Sequence, residues 1–309
     1  MKGLLIVLFQ MAVTILIGFA LRKNRVIDER SQKSLSDILL QATLPFTILA
    51  SSQYEYSDDI ALGMMAVGAC SVIYYIVTLV IVRLISKKAL NDSAESRIIT
   101  TTAVFANTGF VGIPLMASLF GGAGVLLAAV YNFAYNIFFY TYGAHLISGK
   151  KGNVLELILN PVSLASIAAV IMFLIPPRLP EFLADTMDLI GGVTVPLSMI
   201  ILGSTLATVD YKKLFTDVKS YIVTLLRLVI FPLAMMAALL VARRFTTISD
   251  TTMITLIVMT ALPSGTMNVI YADKYNTAPK FCARTVVLTL LFMMITLPLI
   301  LGLSFMLNR

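Results

Sequence analysis

The residues able to do chemistry in this chain are concentrated in two short polar stretches set inside long apolar runs. The first reads Ala106-Asn107-Thr108-Gly109-Phe110-Val111-Gly112-Ile113-Pro114, and the second Ala261-Leu262-Pro263-Ser264-Gly265-Thr266-Met267-Asn268. Amides, hydroxyls and glycines in such a pattern suit the hydrogen bonding of a small polar ligand. Proline removes a backbone donor and its ring clashes with the preceding turn, while glycine relaxes a helix. Pro114 and Pro263 are therefore expected to open the two segments. A helix that restarts after an opening presents unpaired N–H groups and partial positive charge at its first turn, a natural seat for a carboxylate. The candidate ligand-binding residues are Asn107, Thr108, Gly109, Ser264, Gly265, Thr266 and Asn268.

Other polar residues compete for attention. Arg227 stands among Leu225, Leu226, Leu228, Val229 and Ile230. A guanidinium there costs a few kcal/mol or more unless it is paired or watered, so it must face the protein interior. It either attracts an anion or bonds carbonyls freed by a broken helix or by Pro232. Neither polar stretch contains Asp or Glu, which removes the usual intramembrane proton or sodium ligand. Asp37 and Asp188 read as solvated or capping groups near the ends of apolar runs. Tyr131, Asn132, Tyr135 and Asn136 give one helix a polar stripe suited to interhelical packing, and His145 reads as an interfacial residue. Cys70 and Cys282 lie in apolar runs without CxxC spacing, so no disulfide framework, thiolate metal site or cofactor is implied. One histidine and no HExxH or GxGD motif argue against a membrane enzyme.

The elements that must position these residues follow from composition. The chain of 309 residues is 59% hydrophobic and 13% charged, with mean hydropathy +0.92. Soluble domains are roughly half apolar and about a quarter charged, so a water-soluble globule is excluded. The apolar runs have the ~20-residue length that a helix needs to cross ~30 Å of hydrocarbon. The alternating pattern of a transmembrane barrel is missing. Ten spans are expected, near 3–21, 35–52, 60–83, 98–119, 123–147, 154–175, 182–207, 219–241, 251–272 and 281–306. The first run is expected to be a span and not a secretory leader, because Arg22, Lys23 and Arg25 follow it instead of preceding it. The net charge of +7 is spread between the runs and forms no nucleic-acid stripe.

Basic residues gather on alternate connections: Arg22, Lys23, Arg25, Arg30 and Lys33; Arg83, Lys87, Lys88 and Arg97; Lys150 and Lys151; Lys212, Lys213 and Lys219; Lys274, Lys280 and Arg284. The opposite side has only Lys2, Arg178, Arg243, Arg244 and Arg309. The positive-inside rule places both termini outside and the central loop in the cytoplasm. Asp37, Thr43 and Pro45 recur at identical offsets as Asp188, Thr194 and Pro196. With five spans per half, the second copy must enter the membrane upside down. The expectation is an all-α polytopic membrane protein with a 5+5 inverted repeat: residues 1–148, a short loop at 149–153, and residues 154–309, with spans four and nine broken.

The motifs Asn107-Thr108-Gly109-Phe110-Val111-Gly112-Ile113-Pro114-Leu115 and Ala261-Leu262-Pro263 with Gly265 and Tyr275-Asn276 resemble the auxin efflux carrier family. That family includes plant PIN-formed exporters and bacterial malate or malonate permeases. Asn160-Pro161, Arg227 with Pro232, and Leu297-Pro298-Leu299 extend the resemblance along essentially the whole chain. The resemblance implies an elevator-type secondary transporter of small organic anions in the plasma membrane, a scaffold domain that commonly forms a homodimer, and carboxylate binding at Asn107. Asn268 replaces the plant pattern's second proline, and the large plant loop is reduced to a few residues. Both departures point away from auxin and toward a short bacterial-type carrier. A sodium-coupled carrier of the bile-acid-symporter type and a passive anion channel remain open as alternatives.

Overall fold

The computed structural model describes residues 2–150, 154–175, 179–208 and 214–307. Lys151, Arg178, Lys212, Lys213 and Arg309, all used in the topology count, and the rest of the central loop after Lys150 lie outside these. The described residues are helical, and their only β pairing is an isolated bridge. The helices are α1 (Lys2–Lys23), α2 (Glu29–Ser51), α3 (Asp58–Leu90), α4 (Ala94–Val104), α5 (Thr108–Ser148), α6 (Val154–Ile158), α7 (Pro161–Leu174), α8 (Glu181–Ala207), α9 (Val218–Ala242), α10 (Asp250–Thr260), α11 (Thr266–Lys274) and α12 (Pro279–Leu307). Six of these, α2, α3, α5, α8, α9 and α12, are long and apolar enough to cross a membrane, while α7 and α10 are shorter apolar helices.

Local chemistry sets the helix starts. Ser93 and Ser249 accept hydrogen bonds from Ser96 N and Thr252 N and so cap α4 and α10. Asn160 Oδ1 accepts from Val162 N and Ser163 N, with Pro161 at the first position of α7, where its missing donor costs nothing. Asp28 opens α2 by accepting from Ser31 N at 2.7 Å, and that bond holds its carboxyl below the usual carboxylate range.

Four wide π turns interrupt the helices, at Leu39–Thr43, Thr108–Gly112, Phe139–Gly143 and Leu226–Ile230. Three of them end just before an X-Pro pair: Leu44-Pro45, Ile113-Pro114 and Phe231-Pro232. A proline inside a helix loses one hydrogen bond and its ring crowds the carbonyl four residues back. Widening the turn before it gives the ring room without ending the helix. Pro114 thus sits in a continuing helix, and the opening expected there lies earlier, at Phe105–Asn107. At 41 residues, α5 would extend about 60 Å as one straight rod. Gly121 interrupts it with φ 56° and ψ −141°, a conformation that glycine alone adopts readily. That point falls between the stretches expected as spans four and five.

The chain forms two compact units, each drawing segments from both sequence halves. The first comprises 1–66, 109–133 and 158–208. In it α1 packs along the second half of α8, and the approach is close enough that only glycine fits. A Cβ on Gly203 would lie 1.9 Å from Ile15 O, and one on Gly18 would lie 2.1 Å from Ile200 O. The segments bearing Asp37-Thr43-Pro45 and Asp188-Thr194-Pro196 also cross in this unit. Thr47 Oγ1 donates to Gly191 O at 2.9 Å and meets Thr194 Oγ1 at 2.7 Å. Small residues that let backbones touch are what hold helices together in lipid, where apolar contact alone gives little preference. Gly203→Leu is expected to displace α1, because the obstructing atoms are backbone and no rotamer change relieves them. A loss of about 3 kcal/mol or more, read as a collapse in monodisperse yield on size-exclusion chromatography, is the predicted outcome.

The second unit comprises 67–108, 134–157 and 209–309. Here α9 packs against α10 and α12, and α12 also touches α4 and α10.

Candidate functional site

Within the second unit the two polar stretches meet. Helix α4 ends at Val104 and the chain turns extended at Phe105 (φ −91°, ψ 106°). Helix α10 ends at Thr260, and the chain runs irregularly to Gly265 (φ −70°, ψ 139°) before α11 begins. The extended pieces cross antiparallel at Ala106 and Ser264. Asn107 N donates to Pro263 O at 2.8 Å and Gly265 N donates to Phe105 O at 2.9 Å. Each opening thus satisfies backbone groups of the other, which makes irregular chain tolerable away from water. Ser264 adds two bonds: its Oγ donates to Thr102 O at 2.6 Å and its N–H donates to Thr289 Oγ1 at 3.0 Å. Gly265 is required by proximity, since a Cβ there would lie 2.8 Å from Ala106 O.

The carbonyls freed at the ends of α4 and α10 converge on one side chain. Arg227 is fully buried. Its Nε donates to Leu262 O at 2.9 Å, Nη1 to Tyr74 Oη at 2.6 Å, Val104 O at 3.0 Å and Ala103 O at 3.4 Å, and Nη2 to Met259 O at 3.4 Å. Of the partners open to it from the sequence, the bonds in the structure go to carbonyls. The carbonyls belong to the two broken helices and not to its own helix near Pro232. Among the described residues no carboxylate forms an ion pair with it. The negative ends of the α4 and α10 dipoles offset part of its charge.

Aromatic packing anchors the neighbouring residue. Phe105 stacks on Tyr75 at 5.8 Å and meets the edges of Tyr135 and Phe139 at 5.7 and 5.2 Å. Gly143 makes room for it, because a Cβ there would lie 2.7 Å from the Phe105 ring. On the first turn of α11, Asn268 is fully buried, and its Nδ2 donates to Gly265 O at 3.0 Å and Phe105 O at 3.2 Å. Its Oδ1 has no partner, and neither has Thr266 Oγ1.

Of the candidate residues, the crossing brings together Asn107, Ser264, Gly265, Asn268 and Pro263, with Thr266 on the turn that follows. Asn107 and Thr108 are buried at 4% and 1% exposure. Gly109 and Pro114 belong to the first unit, and a Cβ at Gly109 would meet only Leu44 Cδ2 at an ordinary 3.6 Å. The polar stripe divides likewise: Tyr131 and Asn132 are buried in the first unit, Tyr135 and Asn136 in the second. His145 is exposed and its Nδ1 lies 2.7 Å from Lys150 O. Tyr74, Thr102 and Thr289 also bond at the crossing or to Arg227, and the sequence does not single them out. Each lies in an apolar run with other hydroxyl residues beside it, and its partner lies 25 to 162 positions away, a separation that carries no local signal.

Apolar helices of bilayer length, with shorter ones opened around a buried polar crossing, define a multi-pass integral membrane protein. The chain belongs to the membrane transport protein family, whose profile matches it twice, over residues 4–156 and 151–301. This is the auxin efflux carrier family of the sequence resemblance. An uncharacterized transporter of Methanothermobacter thermautotrophicus is 26% identical over 226 residues, 72% of this chain and 73% of the relative. An uncharacterized transporter of Methanocaldococcus jannaschii is 22% identical over 297 residues, 93% and 94% of the respective lengths. Both relatives are archaeal, whereas the motif departures resemble bacterial short carriers.

Proposed function

We propose that the protein is a secondary carrier of small organic anions in the plasma membrane, and that the carboxylate is held at the crossing of the two opened segments. The observation that carries this reading is the buried Arg227 guanidinium, whose partners among the described residues are carbonyls and a tyrosine with no carboxylate. Two helices restart beside the crossing, at Thr108 and Thr266, and their first-turn N–H groups add to the positive potential. A positive, largely uncharged-lined interior favours an anion. Asn107, Thr108, Ser264, Gly265, Thr266 and Asn268 supply neutral hydrogen-bonding groups, with Gly109 and Pro114 adjoining in sequence.

The topology proposed is ten crossings in a 5+5 inverted repeat, with both termini outside. The two successive profile matches and the interruption of α5 at Gly121 support it. The family's elevator mechanism, its direction of export and its homodimer are carried over on the same footing, with the second compact unit as the part that carries the anion. The family's role is transport, so no chemical step is assigned to any residue.

The test is counterflow uptake into proteoliposomes with malate, malonate, succinate and indole-3-acetate, each with and without sodium and pH gradients. Saturable uptake of at least one acid is expected, reduced at least about tenfold in Asn107→Ala, as befits a lost hydrogen bond to a charged group. Large unsaturable currents would establish a channel instead, strict sodium dependence would establish a sodium symporter, and no uptake of any acid would overturn the reading.

A further inference from the structure

Building on the anion-carrier reading, we infer that Asn268 Oδ1 accepts a hydrogen bond from the transported acid itself, so that the site selects acids carrying a hydroxyl or N–H beside the carboxylate. The orientation of this side chain is fixed by its surroundings. Nδ2 donates to two carbonyls, Gly265 O and Phe105 O, and a flipped amide would set Oδ1 against both. Oδ1 must therefore point away from the bridge, and there it has no partner while the residue is fully buried. Buried acceptors are almost always satisfied, and leaving one unmade costs roughly ten- to a hundredfold in an equilibrium.

A second buried oxygen on the same turn is in the same position. Thr266 Oγ1 is also buried without a partner. The residue that caps α11 is Gly265, which has no side chain to bond the first N–H groups. The start of α11 thus offers amide donors for a carboxylate next to an amide acceptor that demands a donor. A ligand with only a carboxylate leaves Oδ1 empty, whereas a 2-hydroxy acid spans both needs. A metal cation or an ammonium could also satisfy Oδ1. However, the guanidinium of Arg227, which among the described residues has carbonyl and tyrosine partners and no carboxylate, and the first turn of α11 both oppose positive charge there. The donor belongs to the anion.

The experiment measures half-saturation constants in counterflow for matched pairs: lactate against propionate and 2-methoxypropionate, and malate against succinate. In the wild-type protein each hydroxy acid is expected to bind about tenfold or more tightly than its deoxy partner. The methoxy acid keeps the oxygen but has no donor, and is expected to behave like propionate. In Asn268→Leu the ratio within each pair falls to near one. If the wild-type ratios are near one, the acid does not donate to Asn268 Oδ1, and this inference fails while the carrier reading stands. If the methoxy acid matches lactate, the oxygen is accepting and the inference also fails. Uptake of no acid at all overturns both. Because the wild-type comparisons decide the matter, a poorly folded Asn268→Leu does not.

Discussion

Arg227→Met is expected to destabilise the folded protein severely, and Arg227→Lys to rescue little of the loss. Four carbonyls and the Tyr74 hydroxyl depend on this guanidinium. Each buried acceptor left without a donor costs about 1–3 kcal/mol, and the total approaches the 5–15 kcal/mol that holds a typical domain together. Relief of the buried charge offsets part of this, but methionine supplies no donor for any carbonyl. Lysine keeps the charge yet presents its donors from one point, while the partners are spread around a planar fork from Leu262 to Ala103. Heating in a Cys70→Ser background, while a maleimide dye reports exposure of the buried Cys282, measures the change, and a midpoint at least about 10 °C lower in both variants is expected. A protein in which Arg227 instead coordinated substrate would behave differently. Arg227→Lys would then unfold at the wild-type midpoint and show only a raised half-saturation constant.

The features legible in the sequence were those with a local cause. The apolar run lengths gave bilayer-length helices, and the glycines and hydroxyls around Asn107 and Ser264 marked the segments that open. The opening in the first segment lies elsewhere than its proline suggests. Pro114 is the obvious breaker, but the π turn Thr108–Gly112 accommodates its ring, and the chain opens instead at Phe105–Asn107. Phe105 carries no breaking propensity of its own. It is extended because its carbonyl accepts from Gly265 N and its ring is held by Tyr75, Tyr135 and Phe139, all distant in sequence. Arg227 shows the same limit. Its isolation among leucines announced an interior position, but the choice between anion and carbonyl partners depends on α4 and α10 ending beside it. The division into two units that each mix both halves is likewise a property of packing, which no local pattern encodes.

Gly265→Val is expected to stop transport, and Gly265→Ala to reduce it at least about tenfold, at a much smaller loss of stability than Arg227→Met. The backbone angles at Gly265 are ordinary for any residue (φ −70°, ψ 139°), so the requirement for glycine comes from space and not from conformation. A Cβ would sit 2.8 Å from Ala106 O, 3.2 Å from Ala106 C and 3.3 Å from Phe105 O. These atoms belong to the opposite strand of the bridge, and Phe105 O is the acceptor for both Gly265 N and Asn268 Nδ2. One methyl group must therefore push the two extended pieces apart by a few tenths of an ångström, at a cost of about 1–3 kcal/mol. The displacement falls on the turn that carries Thr266 and Asn268, and misplacing binding groups by even a fraction of an ångström weakens their hydrogen bonds steeply. Gly302→Ala in α12 is the control, since a Cβ there meets nothing within 4 Å; uptake and thermal midpoint are expected to stay at wild-type values. Should Gly265→Ala transport as well as Gly302→Ala while the bridge at Ala106 and Ser264 is intact, the crossing is a structural joint only, and the anion is bound elsewhere.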